Sequence, residues 1–304
     1  MLEKLFNDFA AYCEAQALRI EGVAVADENR VICERHFMPD LARNIYSHTK
    51  SFMATAAGIA IGEGRLRLDD RLAEFFPEAV PENADARLGK ITLRHLLTMS
   101  SGMNHALLMN ADRRAGVGFP DYLRYFMRLP VEAEPGERFV YSSADSIMAG
   151  YMIEKAVGCR LGEYLYQKVF EPLEMGWPMW ENDPQGHPVG CGGMCLKLTE
   201  MMKLGQLYLA EGQWRGRRVV DAEWVRAASA KQIETPGDDI WLRGYGYQFW
   251  RSPYPDSYRA DGAYGQVTTV LPGAGLVVSV QCPEAGDFQK VKDALHARLL
   301  EPLG

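Results

Sequence analysis

Ser47 and Lys50 stand three residues apart at the head of an apolar run, Ser51 to Ile61, that holds no charge and no proline and ends at Gly62 and Gly64. Such a run predicts one helix buried on nearly every face and stopped by the glycines. Residues three apart on a helix share a face, with Cβ atoms about 5–6 Å apart. Burial disfavours the charged form of an amine, and a neutral amine beside a serine hydroxyl can take its proton. The product is a nucleophilic oxygen made without histidine. Backbone N–H groups at the helix start would face a developing oxyanion. The competing reading is a serine near a helix start and a lysine whose head snorkels to the surface. The uncharged surroundings favour the first, because a solvated lysine is unusual beside so apolar a run.

The elements that must position this pair follow from periodicity. Leu2, Leu5, Phe6 and Phe9 mark an N-terminal amphipathic helix. Residues 20–26 and 31–37, joined by Asp27-Glu28-Asn29-Arg30, predict a hairpin. Residues 244–250, 265–271 and 275–281 read as three strands, with Pro272-Gly273 turning between the last two. A helix over 287–300 closes the chain. Between Leu66 and Leu209 the pattern is mostly helical, broken by proline-rich stretches. The expected fold class is therefore α+β: an antiparallel sheet flanked by the N- and C-terminal helices, with a mostly helical inserted lobe. Residues 1–65 and 190–304 would form the discontinuous sheet domain and residues 66–189 the helical lobe. The active site is expected in the cleft between them.

Composition narrows the classes. The chain has 304 residues, 47% hydrophobic and 24% charged, which is ordinary for a globular enzyme. A net charge of −7 argues against nucleic acid or an anionic membrane as partner. No stretch approaches the roughly 18 apolar residues of a membrane span. The N-terminus lacks a basic start followed by an apolar core, so no export signal and a cytoplasmic location are expected. The six cysteines read as reduced, buried thiols. Cys191 and Cys195 lack a second Cys or His pair at zinc-site spacing, so no metal is expected. There is no G-x-S-x-G elbow, phosphate loop, dinucleotide fingerprint or H-E-x-x-H, and no cofactor is implied.

Over nearly its whole length the chain resembles the serine β-lactamase and DD-peptidase (penicillin-binding protein-like) superfamily, in its class C-like group with esterases and amidases. Ser47-His48-Thr49-Lys50 matches the S-x-x-K nucleophile motif, and Gly62 to Asp70 the usual continuation of that helix. Ile91 to Gly102 matches a hallmark stretch, Pro135 to Ser143 brings the second motif, and Gly192-Gly193-Met194 and Tyr245-Gly246-Tyr247 also fall in place. The resemblance implies Ser47 as nucleophile, Lys50 and Tyr141 as a coupled proton-transfer pair, and an acyl-enzyme that water hydrolyses. It implies an oxyanion hole built from the backbone N–H of Ser47 and one from the strand carrying the third motif.

Two departures bear on substrate. The second motif reads Tyr141-Ser142-Ser143, with Ser143 where Asn is common, and a hydroxyl cannot grip a substrate amide as an amide does. The third motif, usually K-T-G or H-x-G, is matched by Ala260-Asp261-Gly262, followed by Ala263. Gly262 would let substrate approach closely. The cation that binds a substrate carboxylate is gone, and Asp261 would repel one if it faced the cleft, unless Arg259 or Arg243 compensates. The alternative is that Asp261 points away into a turn. The expected function is a serine hydrolase of a small neutral ester or amide. A class C-type β-lactamase or D-amino-acid peptidase, an acyltransferase, and a catalytically impaired binding or sensory domain stay open. Oligomeric state is not legible. His48 reads as a bystander that could line the cleft, and His95 as structural.

Overall fold

The computed structural model describes all 304 residues. Strand β1 (Gly22–Ala26) is buried throughout. Val23 and Val25 face one side of the sheet and Ala24 and Ala26 the other, as period-2 alternation dictates. It pairs with β2 (Val31–His36) across a turn in which Asp27 Oδ1 accepts the N–H groups of Asn29 and Arg30, each at 2.8 Å. Four more strands come from the C-terminal part: β3 (Trp250–Arg251), β4 (Tyr258–Gly262), β5 (Gln266–Leu271) and β6 (Leu276–Gln281). The spatial order is β2-β1-β6-β5-β4-β3, with all neighbours antiparallel. The N-terminal hairpin thus joins the C-terminal meander, with Gly22 opposite Gln281.

The helices that bear on the site are α1 (Leu2–Ala15), α2 (Thr49–Gly62), α3 (Leu93–Leu97), α4 (Ser143–Val157), α5 (Leu198–Leu209) and α6 (Phe288–Leu295). Phe6, Phe9 and Cys13 of α1 and Val291 and Leu295 of α6 cover the sheet face that carries Val23, Val25, Val278 and Val280. The opposite face packs on α5, where a Cβ on Gly205 would come within 2.6 Å of Val277, so only glycine lets the helix lie this close. Helix α2 is buried from Thr49 to Ala60, as its uncharged sequence predicts. Each large apolar side chain there contributes about 1.5–3 kcal/mol relative to exposure. One continuous apolar core runs from the inner sheet face through α2 and α4 into the helical segment between residues 66 and 189. No helix is long and apolar enough to cross a membrane.

The expected strand over 244–250 is a correction. The segment turns back on itself: Gly246 N–H donates to Phe249 O at 2.8 Å, Gln248 holds φ +62°, and only Trp250 and Arg251 join the sheet. Its alternating Tyr245, Tyr247 and Phe249 imitate a strand, but buried polar anchors at Gln248 decide its path. The strand that the pattern did not reveal is β4. Its Arg259 and Asp261 look wrong for a buried strand until they are seen to pair with each other, Arg259 Nε donating to Asp261 Oδ2 at 2.8 Å.

Candidate active site

Ser47 lies in the tight turn Tyr46–His48 that leads into α2. The turn is held by backbone on both sides. Ile45 N–H donates to Met194 O at 2.8 Å, and Tyr46 N–H donates to Asn44 Oδ1 at 2.8 Å. Tyr46 takes φ +47°, a left-handed conformation that costs a non-glycine residue of order 1 kcal/mol or more. Its ring meets the edge of Tyr264 at 5.0 Å between centroids. Strand β4 presses on this turn from the other side: a Cβ on Gly262 would fall 2.1 Å from Ile45 O. Gly262 thus permits a close approach to the backbone before Ser47. Ala263 follows in the exposed turn between β4 and β5.

Lys50 is 1% exposed. Its Nζ donates to Ser47 Oγ at 3.1 Å and to Cys191 O at 2.9 Å, so the snorkelling alternative does not hold. The same Nζ stands 5.0 Å from the ring centroid of Tyr141. Tyr141 belongs to an extended strap before α4, fixed where Val140 N–H donates to Met99 O at 2.8 Å. Phe139, Tyr245 and Trp250 pack around its ring. The fold thus brings Ser47, Lys50 and Tyr141 together, with Lys50 over the phenol face and no direct bond to its hydroxyl. Ser143 is buried at the first position of α4, and its hydroxyl donates to Met109 Sδ at 3.3 Å. That weak acceptor is one a substrate group can replace.

Asp261 does not sit in a turn, nor is its charge free. Burial works against its ionised form, yet Arg259, and Lys292 with Nζ at 3.7 Å, hold its carboxyl below the ordinary value. Arg259 is itself spent: it donates to Asp261, to Arg251 O at 2.8 Å and to Trp241 O at 2.9 Å. Arg243 donates to Ile240 O at 3.2 Å on the surface. His48 does not line the cleft. It is fully buried, its Nε2 bonded to Thr268 Oγ1 at 3.0 Å, and burial drives its pKa down to about 3, leaving a neutral ring. His95 caps α3 together with Thr92, a structural role.

Sequence reasoning missed three contributors. Cys191 offers its carbonyl, not its thiol, to Lys50. Gln248 accepts from Ser51 Oγ through its backbone O and from Ser146 Oγ through Oε1, both at 2.7 Å, and donates to Leu97 O at 2.9 Å. It thereby ties α2 just beyond Lys50 to α4 and α3. Asp145 is fully buried on α4, four residues after Tyr141. Its signal was visible as a lone charge in the run Ala144 to Ile153.

The sequence pattern of the Beta-lactamase family matches residues 9–301. The chain belongs to that family. Among curated members it is 30% identical over 169 residues to Esterase EstB of Burkholderia gladioli, covering 52% of this chain and 42% of that protein. It is 30% identical over 152 residues to the monacolin J acid methylbutanoyltransferase of Aspergillus terreus, covering 44% and 37% respectively. The chain thus spans under half the length of both relatives. Among solved structures, the octameric penicillin-binding protein homologue from Pyrococcus abyssi superposes with a TM-score of 0.77 at 22% identity, over 99% of this chain and 77% of that one. At that identity the likeness speaks for the α+β fold, with its antiparallel sheet and helical lobe.

Proposed function

We propose that this member of the beta-lactamase family is a serine hydrolase that cleaves a small neutral ester or amide through an acyl-enzyme. The observation that carries the reading is Lys50 Nζ buried at 3.1 Å from Ser47 Oγ and fixed from behind by Cys191 O. Ser47 Oγ attacks the substrate carbonyl, and its proton passes to the Lys50–Tyr141 pair. The oxyanion is met by the backbone N–H of Ser47 and one from the end of β4, at Gly262 or Ala263. The pair returns the proton to the leaving oxygen or nitrogen as the carbonyl reforms. Water then repeats the sequence on the acyl-enzyme and releases the acid.

Preference for a neutral substrate is supported by the charges near β4. Asp261 is present where relatives carry a cation-bearing motif, and Arg259 is already bonded to protein acceptors. A substrate carboxylate would find no free cation in Arg259. The likeness to a methylbutanoyltransferase supports a second outcome, in which an alcohol takes the place of water.

Release of nitrophenol from a short-chain nitrophenyl ester, measured beside turnover of a chromogenic cephalosporin, tests the proposal. Ester hydrolysis that disappears in Ser47→Ala, with little cephalosporin turnover, is expected. Comparable rates on both substrates would overturn the neutral-substrate reading. A folded wild-type protein idle on both would favour a binding role. Added short alcohols that divert the acyl group into a new ester would identify the transferase.

A further inference from the structure

Helix α4 begins two residues after Tyr141, and Asp145 is the only charge among its residues from Ser143 to Ile153. The side chain is fully buried. Oδ1 accepts a hydrogen bond from Ser101 Oγ at 2.8 Å, while Oδ2 is buried with no partner. The carboxyl does not cap its own helix, since its hydrogen-bonded side-chain partner is Ser101. A buried carboxylate without compensation is costly enough that it either takes a proton or answers a cation.

The candidate cation is Lys50, whose Nζ bonds two neutral oxygens, Ser47 Oγ and Cys191 O, and forms no salt bridge with any carboxylate. Helices α2 and α4 pack side by side, so a charge on Lys50 would favour the Asp145 carboxylate across that interface. From the other packed segments, Ser101 faces Asp145 beyond α3, and Tyr245 senses its charge from the 244–250 turn.

We propose that Asp145 is the buried counter-charge of Lys50, a positioning residue whose carboxylate offsets a charge on the lysine behind the Ser47–Lys50–Tyr141 group and so shapes the pH range in which that group works. This rests on the hydrolase reading for its effect on rate but not for the coupling itself. Burial pushes the Asp145 carboxyl up to about 7, against the pull of Ser101 and Lys50. Below that pH the carboxyl is neutral, and above it the site gains one buried negative charge.

Two readouts separate the claims. The first follows the side-chain carboxyl of Asp145 by carbon NMR in protein labelled at aspartate carboxyls, with Asp145→Asn to assign the signal. A midpoint near 7 is expected, rising by on the order of one unit in Ser101→Ala and in Lys50→Met, because each removes a group that favours the carboxylate. The second is the pH profile of kcat/KM on the nitrophenyl ester, whose inflection near 7 should vanish in Asp145→Asn and move up in Ser101→Ala. An Asp145 midpoint unmoved by Lys50→Met overturns the counter-charge. An unchanged rate profile in Asp145→Asn, with Ser47-dependent turnover intact, overturns the control of rate. Loss of turnover in the wild type would sink the hydrolase reading while leaving the NMR coupling measurable.

Discussion

At the scale of single residues, two buried titratable groups pull stability in opposite directions with pH. The His48 pKa is lowered from 6.5 to about 3 by burial. Below pH 6.5 the unfolded chain binds this proton more readily, so stability is lost as pH falls from 6.5 toward 3. Asp145 is raised from 3.8 to about 7 by burial, so its contribution is full below 3.8 and is lost as pH rises through 7. Urea midpoints measured across this range should fall on the acid side less steeply in His48→Gln than in wild type. They should fall less between about pH 4 and 7 in Asp145→Asn. Equal slopes in variant and wild type would contradict the assignment for that residue. The same burial explains why neither group is a surface ornament: each is retained in a dry environment by specific partners, Thr268 for one and Ser101 for the other.

At the scale of elements, the turn that carries Ser47 is squeezed between β4 and the segment Gly192 to Met194. Gly262 is the contact on one side, with Ile45 O where its Cβ would be. Gly262→Ala must push β4 or the turn aside, so a loss of about 1–3 kcal/mol is expected, the range typical of overpacking. Ester turnover should fall more than stability predicts, since Ser47 is two residues from the displaced carbonyl. A variant with wild-type turnover and thermal midpoint would show that the contact is slack. Gln248 works at the same scale. By bonding Ser51, Ser146 and Leu97 it fixes α2 against α4 and α3, and so the spacing of Lys50 from Asp145 and Tyr141. Both devices depend on backbone path. Gly262 stood out in the sequence for a different reason, and Gln248 for none.

At the scale of the whole molecule, the sheet and the helical segment share one apolar core, through α2 and α4. Ser47, Lys50 and Tyr141 sit on that shared material. Far-UV circular dichroism and tryptophan fluorescence should therefore report one coincident urea transition, with tryptophans in both parts of the chain as probes. Two resolved transitions would mean that the helical lobe of residues 66–189 unfolds by itself.

Much of this was legible from residues alone. Periodicity marked α1, the first hairpin, β5, β6 and the buried course of α2, because alternation and uncharged runs are local properties. The motif order marked Ser47, Lys50 and Tyr141. What the chain could not declare was which polar groups would find partners after burial. Arg259 and Asp261 make sense in a strand only as a pair, also reached by Lys292 from a helix near the far end of the chain. The turn at 244–250 follows from carbonyls about 150 residues away that Gln248 reaches. His48 lies beside Ser47 in sequence yet faces the sheet, because successive residues of a tight turn point in different directions. Burial of a polar group is decided by partners distant in sequence, so its outcome belongs to the tertiary structure. The apolar pattern that buries it is written locally.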